Sequence, residues 1–282
     1  MFPRTFDYTA PASVEEAVDA LAGSEFAKVM SGGMSLIPMM KLRLLSPELI
    51  VDIGRVPGLD RLEEDGDSLV IGALVRHRQT AASGLVPTAL RDAAAWTGDT
   101  QVRNRGTTCG AVAHADVAAD QPAAVLALGA TMVAVGSNGR REIPAEDFFV
   151  DALTSALEPD EILTEIRIPR RGGGSAYDKL GRRGGHTDYA VAGASAWVRM
   201  DGGSVVDARV AITGVGARPQ LAEGVAESVI GTDGSERAIA VAAGRATEGI
   251  TVLEDLYGTE EYKAHLATVM SRRALQAAVA SA

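Results

Sequence analysis

The chain has 282 residues, 46% of them hydrophobic, with a formal net charge of -10, which is enough apolar material for about two domains, each with its own core. An acidic balance with no basic stripe and no aromatic-rich stacking platform excludes a general nucleic-acid surface. A single cysteine, Cys109, excludes an intrachain disulfide and any cysteine-ligated iron–sulfur cluster built from this chain alone.

The opening Met1-Phe2-Pro3-Arg4-Thr5-Phe6 lacks the apolar core of a signal peptide, and no run of about 18 apolar residues follows, so the expectation is a cytoplasmic protein without an integral membrane segment. Ser13-Val14-Glu15-Glu16 is a capping-box pattern ahead of Ala17, Val18, Ala20 and Leu21 and predicts a helix. Lys28-Val29-Met30 reads as a short strand entering the turn Ser31-Gly32-Gly33-Met34-Ser35. Met34 to Leu42 reads as a helix with Pro38 in or near its first turn. Leu49 to Ile53 reads as a buried strand.

A second lobe follows, with a strand at Leu69-Val70-Ile71 and helices over Arg78 to Ala82 and Thr88 to Thr97. A second glycine-bearing turn, Thr107-Thr108-Cys109-Gly110-Ala111, precedes an apolar helix over Pro122 to Leu128. Strands are expected at Met132 to Val135 and at Ile162 to Ile168, where alternation suits a half-buried strand. Pro169-Arg170-Arg171-Gly172-Gly173-Gly174-Ser175 is the best linker and marks a domain boundary. Domains are therefore expected at 1–171, with lobes of about 1–57 and 58–171, and at 176–282. The second domain should hold strands at Ala176 to Leu180, Ala190 to Met200 and Val205 to Thr213, with a hairpin turn at Asp201-Gly202-Gly203. Two or three helices close the chain, and the last, from near Glu260, carries Tyr262, Leu266, Val269, Met270 and Ala277 as one apolar stripe.

Each glycine turn borders an apolar segment and precedes a helical one. Residues without side chains let backbone N–H groups approach phosphate oxygens, and a helix N-terminus adds partial positive charge. Together the two turns suggest a cradle for a diphosphate, although either alone is also ordinary turn chemistry. With four histidines and one cysteine, any redox chemistry carried by this chain would reside on an organic cofactor.

Read as a set, Ser31-Gly32-Gly33-Met34-Ser35-Leu36 with Lys41-Leu42-Arg43, then Arg103-Asn104-Arg105-Gly106-Thr107 through Ala113-His114-Ala115-Asp116 and Asp120-Gln121-Pro122-Ala123-Ala124, then Glu161-Ile162-Leu163, resemble the FAD-binding medium subunit of molybdenum hydroxylases. That group contains aerobic carbon monoxide dehydrogenase and xanthine dehydrogenase. Tyr177-Asp178-Lys179, Arg182-Arg183 and Asp188-Tyr189-Ala190 resemble the opening of that family's C-terminal domain. The resemblance implies an α+β fold: a two-lobed FAD-binding domain of the PCMH/vanillyl-alcohol-oxidase type, then a smaller domain of antiparallel sheet and helices. It implies an oxidoreductase subunit that passes electrons through FAD to an external acceptor. Its implied partners are a large subunit with the molybdenum cofactor and a small subunit with two [2Fe-2S] clusters, assembled as a dimer of heterotrimers (a heterohexamer).

By the same resemblance, Ser31, Gly32, Gly33, Met34 and Ser35 wrap the diphosphate through backbone N–H groups, and the Ser35 hydroxyl donates another bond. Thr107, Thr108, Cys109, Gly110 and Ala111 form the facing clamp. Asp120 meets ribityl or ribose hydroxyls, its alternative being a helix N-cap. Ile162 and Leu163 lie against the flavin ring, with core packing as the alternative, and Lys179 places a cation near it, with a solvated strand-end lysine as the alternative. Tyr189 covers one face of the ring or is simply a half-buried strand tyrosine. Arg103 and Arg105 are left outside the site. His114 and Asp116 form a candidate metal pair, with a local turn or a flavin-shell role as the alternative.

One departure stands out. The family's second clamp reads Thr-Ile-Gly-Gly-Asn, and this chain puts Cys109 in place of the first glycine and Ala111 in place of the asparagine. If that glycine needs a positive φ, a Cβ there costs about 1 kcal/mol. Two other functions therefore compete: a structural or assembly subunit with a degenerate flavin site, and a stand-alone FAD oxidoreductase. The latter would need its own acid/base set, and no Ser-His-Asp arrangement, carboxylate pair or redox cysteine pair is visible.

Overall fold

The computed structural model describes residues 2–186 and 188–282. The first lobe runs β1 (Asp7–Thr9), α1 (Val14–Ala22), β2 (Ala27–Met30), α2 (Leu36–Lys41) and β3 (Leu49–Asp52). Its strands form a parallel sheet in the order β1-β3-β2. The helix predicted after Ser13 is present, and Ser13 Oγ accepts the Glu16 N–H at 3.1 Å. The Glu16 carboxylate reaches back to the Ala12 N–H, one residue earlier than a standard capping box. Pro38 sits in the first turn of α2, where its missing N–H costs nothing.

The second lobe comprises β4 (Leu62–Asp65), β5 (Ser68–Gly72), α3 (His77–Ala82), α4 (Thr88–Ala95), α5 (Thr100–Arg105), α6 (Thr108–His114), α7 (Asp120–Ala127), β6 (Thr131–Gly136), β7 (Gly139–Pro144), α8 (Ala145–Phe148), β8 (Phe149–Asp151), β9 (Thr154–Ser155) and β10 (Ile162–Pro169). Its five-stranded sheet has the order β4-β5-β10-β6-β7, with β10 antiparallel to both neighbours and bulged after Leu163. β10 is therefore central and buried on both faces, not half-buried as its alternation predicts. Its polar face is kept soluble by ion pairing: Glu165 receives Arg61 and Arg167, each at 2.8 Å.

The C-terminal domain holds β11 (Gly174–Gly181), β12 (Ala190–Asp201), β13 (Ser204–Thr213), β14 (Gln220–Leu221), α9 (Glu223–Val229), α10 (Glu236–Ala243) and α11 (Glu260–Ala280). The sheet is antiparallel, in the order β11-β12-β13-β14. Gly202 and Gly203, at φ 56° and 80°, make the two-residue turn between β12 and β13, because both central positions of that turn need the left-handed region.

The period of two in these strands separates two faces. Ala176, Ala192, Ala194, Ala196, Val198, Val210 and Ile212 join one core with the terminal helices, while Tyr177, Trp197 and Ala211 belong to the core of the preceding domain. On that second face, polar groups stitch the domains. Ser175 Oγ accepts the Ala89 N–H at 3.2 Å, and Thr213 Oγ1 lies 2.7 Å from the Val117 carbonyl and 2.9 Å from that of Ala119. α7 is caught between sheet and lobe, and every residue from Asp120 to Ala127 is buried.

The stripe expected on α11 is rotated in the structure. Tyr262 and Ala277 face solvent, and the buried positions are Lys263, Leu266, Ala267, Met270, Ser271, Ala274, Leu275 and Ala278. Small residues mark the seam because the helix packs closely on a sheet whose own inward residues are mostly alanine.

Candidate functional site

The site forms where the two lobes meet. β2 leads into the first glycine turn and α2 leaves it; α5 leads into the second turn, where α6 begins. The turns touch directly: Ser31 Oγ and Thr107 Oγ1 are 2.9 Å apart. Three glycines make this approach possible. A Cβ on Gly32 would overlap the Arg105 carbonyl oxygen and stand 2.8 Å from Gly106 Cα. One on Gly110 would stand 2.5 Å from Thr107 Oγ1 and 2.9 Å from Ser31 Oγ. Gly33 holds φ at +72°, a conformation that disfavours any side chain.

The two turns differ in what they offer a ligand. Among the described residues, the backbone N–H groups of Gly32, Gly33, Met34 and Ser35 donate to no protein acceptor, and the Ser35 hydroxyl makes no cap bond. In the second turn, Thr108 donates to the Val75 carbonyl and Ala111 to that of Thr107, each at 3.0 Å. Gly110 donates to Thr107 Oγ1, also at 3.0 Å. Only the Thr107 and Cys109 amides remain without a protein acceptor among the described residues. Capping α6 thus engages the Thr108, Gly110 and Ala111 amides within the protein.

Cys109 corrects a further expectation. It lies in α6 and is absent from the positive-φ residues. Its side chain is 1% exposed and its Sγ lies 3.3 Å from the Ile71 carbonyl, beneath the helix in the core. Burial pushes the thiol pKa well up, so it stays neutral. The Cβ that replaces the family's glycine points away from the cradle and adds no strain there.

Asp120, Tyr177 and Lys179 form a buried cluster across the domain boundary. Asp120 Oδ1 accepts from the Tyr177 hydroxyl at 2.6 Å, and Lys179 Nζ lies 2.8 and 2.7 Å from the two carboxylate oxygens. Lys179 also donates to the Trp96 and Asp188 carbonyls, at 3.2 and 2.6 Å. Gly193, opposite Lys179 on β12, leaves room: a Cβ there would stand 2.6 Å from the Tyr177 hydroxyl. Burial raises the Asp120 pKa to about 6 against the lowering effect of Lys179 and Tyr177. Neither alternative weighed for these residues holds. Asp120 caps nothing, since Ala119 occupies the N-cap, and the Lys179 side chain is 0% exposed.

Ile162 and Leu163 lie within the main core and pair with Val135 and Ala134 of β6, so their packing is that of a central strand. The Tyr189 ring is partly exposed beside Arg182, whose guanidinium carbon is 5.2 Å from the ring centroid. It borders the segment after α6, where the Ala190 N–H donates to the Ala118 carbonyl at 3.0 Å. Asp116 Oδ1 accepts the Ala118 N–H at 2.9 Å, the local-turn role.

Two residues that back the turns had no sequence signal. The Arg76 guanidinium donates to the Arg105 carbonyl, the same carbonyl that Gly32 packs against. His77 lies behind Gly106, whose Cβ would stand 2.8 Å from the imidazole Cδ2. Burial lowers the His77 pKa to about 4, and its Nδ1 is 3.2 Å from Gln121 Nε2, so a neutral ring accepts that amide. Both positions are set by pairing between Arg76 and Thr107 across 30 residues of chain, which no local pattern announces.

Residues 4–171 match the family described as the FAD binding domain in molybdopterin dehydrogenase, and residues 175–278 match the CO dehydrogenase flavoprotein C-terminal domain. The chain is 41% identical to the carbon monoxide dehydrogenase medium chain of Hydrogenophaga pseudoflava, over 99% of this chain and 98% of that one. It is 37% identical to subunit alpha of the 6-hydroxypseudooxynicotine dehydrogenase complex of Paenarthrobacter nicotinovorans, over 99% and 96%. The solved structure of quinoline 2-oxidoreductase from Pseudomonas putida 86 superimposes with a TM-score of 0.93 at 33% identity, covering 99% of each chain. A glycine cradle of unengaged amides, followed by an antiparallel C-terminal domain over the full matched length, makes this chain a member of the FAD-binding medium-subunit family of molybdenum hydroxylases, an oxidoreductase component.

Proposed function

We propose that the chain is the electron-relay subunit of a multi-subunit molybdenum hydroxylase, taking electrons from [2Fe-2S] clusters of a small subunit and passing them through FAD to an external acceptor. A large subunit carries the molybdenum cofactor and selects the substrate, and the assembly is a cytoplasmic dimer of heterotrimers. Among the described residues no helix is long and apolar enough to cross a membrane. The units of this subunit are 1–171, with lobes of about 1–57 and 58–171, and 176–282.

The observation that carries the reading is the contact between the two glycine turns, with four adjacent amides left free on the Gly32–Ser35 side. Phosphate oxygens need such donors, and the first turn supplies them without any lysine or arginine. FAD, once bound, supplies the redox chemistry; the protein sets its orientation, its environment and its exposure. Ser31 and Thr107 hold the turns together, and Gly32, Gly33, Met34, Ser35, Thr107 and Cys109 present amides. Gly110 keeps the approach open, and Thr108 and Ala111 shape the wall. About 10 Å further on, at the far end of the seven-residue α6, Asp120, Lys179 and Tyr189 border the place proposed for the flavin ring. Lys179 is fixed there as a buried cation, while Ile162 and Leu163 back the site from the core.

The neutral, core-facing Cys109 supports a working flavin site over a degenerate one. Co-purification from a host expressing the neighbouring subunits, with flavin, iron and molybdenum analysis, tests the assignment. One FAD per chain in a complex containing iron and molybdenum is expected. A stable complex whose medium subunit never retains flavin would leave the assembly role, and reduction of the isolated holo-chain by a small substrate would favour the stand-alone enzyme.

A further inference from the structure

Among the described residues Arg182 makes no direct ion pair, and the Asp255 carboxylate is a nearby opposite charge. Its side chain makes no hydrogen bond among those residues, and its Nε is buried without a partner. Instead it lies between two aromatic rings, its guanidinium carbon 4.5 Å from the Tyr257 centroid and 5.2 Å from that of Tyr189. Its backbone N–H donates to the Tyr189 carbonyl at 2.9 Å, so the two residues close the 182–189 loop on itself.

The two rings are similarly exposed, Tyr189 at 42% and Tyr257 at 44%, and their backbones are tied to different segments. Tyr257 sits in a turn closed by the Asp255–Gly258 bridge, and its N–H donates to Asp255 Oδ1 at 2.8 Å. Asp255 Oδ2 in turn receives buried Lys263 at 2.8 Å, which also donates to the Gly214 carbonyl at 3.1 Å. Gly214 donates to the Val117 carbonyl at 2.7 Å, so Tyr257 is tied through fixed groups to the segment that follows α6. The Tyr189 N–H donates to Asp188 Oδ1 at 2.8 Å, and neither tyrosine hydroxyl has a hydrogen-bond partner among the described residues. A phenol bonded to a carboxylate would be locked. A ring held through a guanidinium is held more weakly and less directionally, and it can slide.

We propose that Arg182 is a positioning residue which, braced by Tyr257, holds the Tyr189 ring over the flavin and thereby limits how openly an external acceptor reaches it. This rests on the placement of Tyr189 in the proposed function. Arg182 is the link of the device, packed against Tyr257 on one side and against the Tyr189 ring it holds on the other.

The test uses the full chain loaded with FAD, photoreduced and then mixed with dioxygen, with flavin fluorescence recorded in parallel. Arg182→Met and Tyr257→Leu are expected to raise the reoxidation rate constant about fivefold and to brighten the flavin, because the quenching ring is released. Arg182→Lys and Tyr257→Phe, which keep a cation and a ring face, should stay within about twofold of the parent chain. Simple loss of a positive charge near the flavin would slow the reaction with dioxygen, so the sign separates the two effects. Unchanged or slower reoxidation in both Arg182→Met and Tyr257→Leu overturns the proposal. Loss of FAD from Arg182→Met but not from Arg182→Lys supports it, and loss from both overturns it. Tyr189→Ala reports on the reading beneath: if that variant matches the parent in rate and fluorescence, Tyr189 does not face the flavin, and the site assignment fails rather than the clamp alone.

Discussion

Gly110 and Cys109 are neighbours with opposite demands. The space a Gly110 side chain would need is filled by Thr107 Oγ1 and Ser31 Oγ, whereas Cys109 already fills a core position with a Cβ and a thiol. Gly110→Ala is therefore expected to weaken FAD binding at least about tenfold by spreading the turns, while Cys109→Ala keeps FAD affinity within about twofold and loses about 1 kcal/mol of stability; flavin titration and urea unfolding measure the two. The Asp120–Lys179 pair carries a pH signature. Its folded-state carboxyl pKa, about 6 against an ordinary 3.8, means that the group binds its proton more tightly folded than unfolded, so its contribution to stability is full below about 4 and is lost as pH rises through about 6. Lys179→Met removes the main group opposing that rise. The variant should lose about 3 kcal/mol at pH 8, where Asp120 must either stay charged without its cation or take up a proton, and much less at pH 5, where Asp120 is neutral. Urea unfolding at the two pH values checks this, and an equal loss at both would refute it.

At the level of elements, α6 is the piece on which the site turns, because its first residues serve two purposes. Thr107 Oγ1 accepts the Gly110 N–H as an N-cap and also meets Ser31 Oγ. Thr107→Ala should therefore cost about 1 to 2 kcal/mol, more than an isolated cap, and lower FAD affinity, whereas Thr107→Ser recovers most of both. Thermal unfolding with and without FAD distinguishes these outcomes. α11 shows how an element can be legible in extent and misread in orientation. Its start at Thr259 and its helical length follow from local propensity and capping. The spacing of Tyr262, Leu266, Val269, Met270 and Ala277 predicts a different face, but the seam against the sheet is lined by Ala267, Ser271, Ala274 and Ala278, since close packing on a sheet favours small side chains.

For the whole molecule, the decisive feature is that the C-terminal sheet has two buried faces. One packs on its own helices, and the other, through Tyr177, Trp197 and Ala211, completes the core of the FAD-binding domain. Lys179 and Thr213 project from that second face onto Asp120 and onto the carbonyls of Val117 and Ala119. A ligand bound across the lobes and this sheet should stabilise them as one unit. FAD at about a hundred times its dissociation constant is expected to add about 2.7 kcal/mol to unfolding, visible as one cooperative transition moved upward. Two transitions, of which only the first responds to FAD, would show that the domains are not coupled.

The amino-acid sequence by itself determined the strands and helices with strong patterns, the two glycine turns and the family resemblance, because these depend on residues close together in the chain. The central placement of β10, the clasp between Asp120 and Lys179, the inward turn of Cys109 and the support from Arg76 and His77 were decided only by tertiary structure. Each depends on groups brought together from distant segments, where burial, free volume and hydrogen-bond partners exist only after the chain has folded.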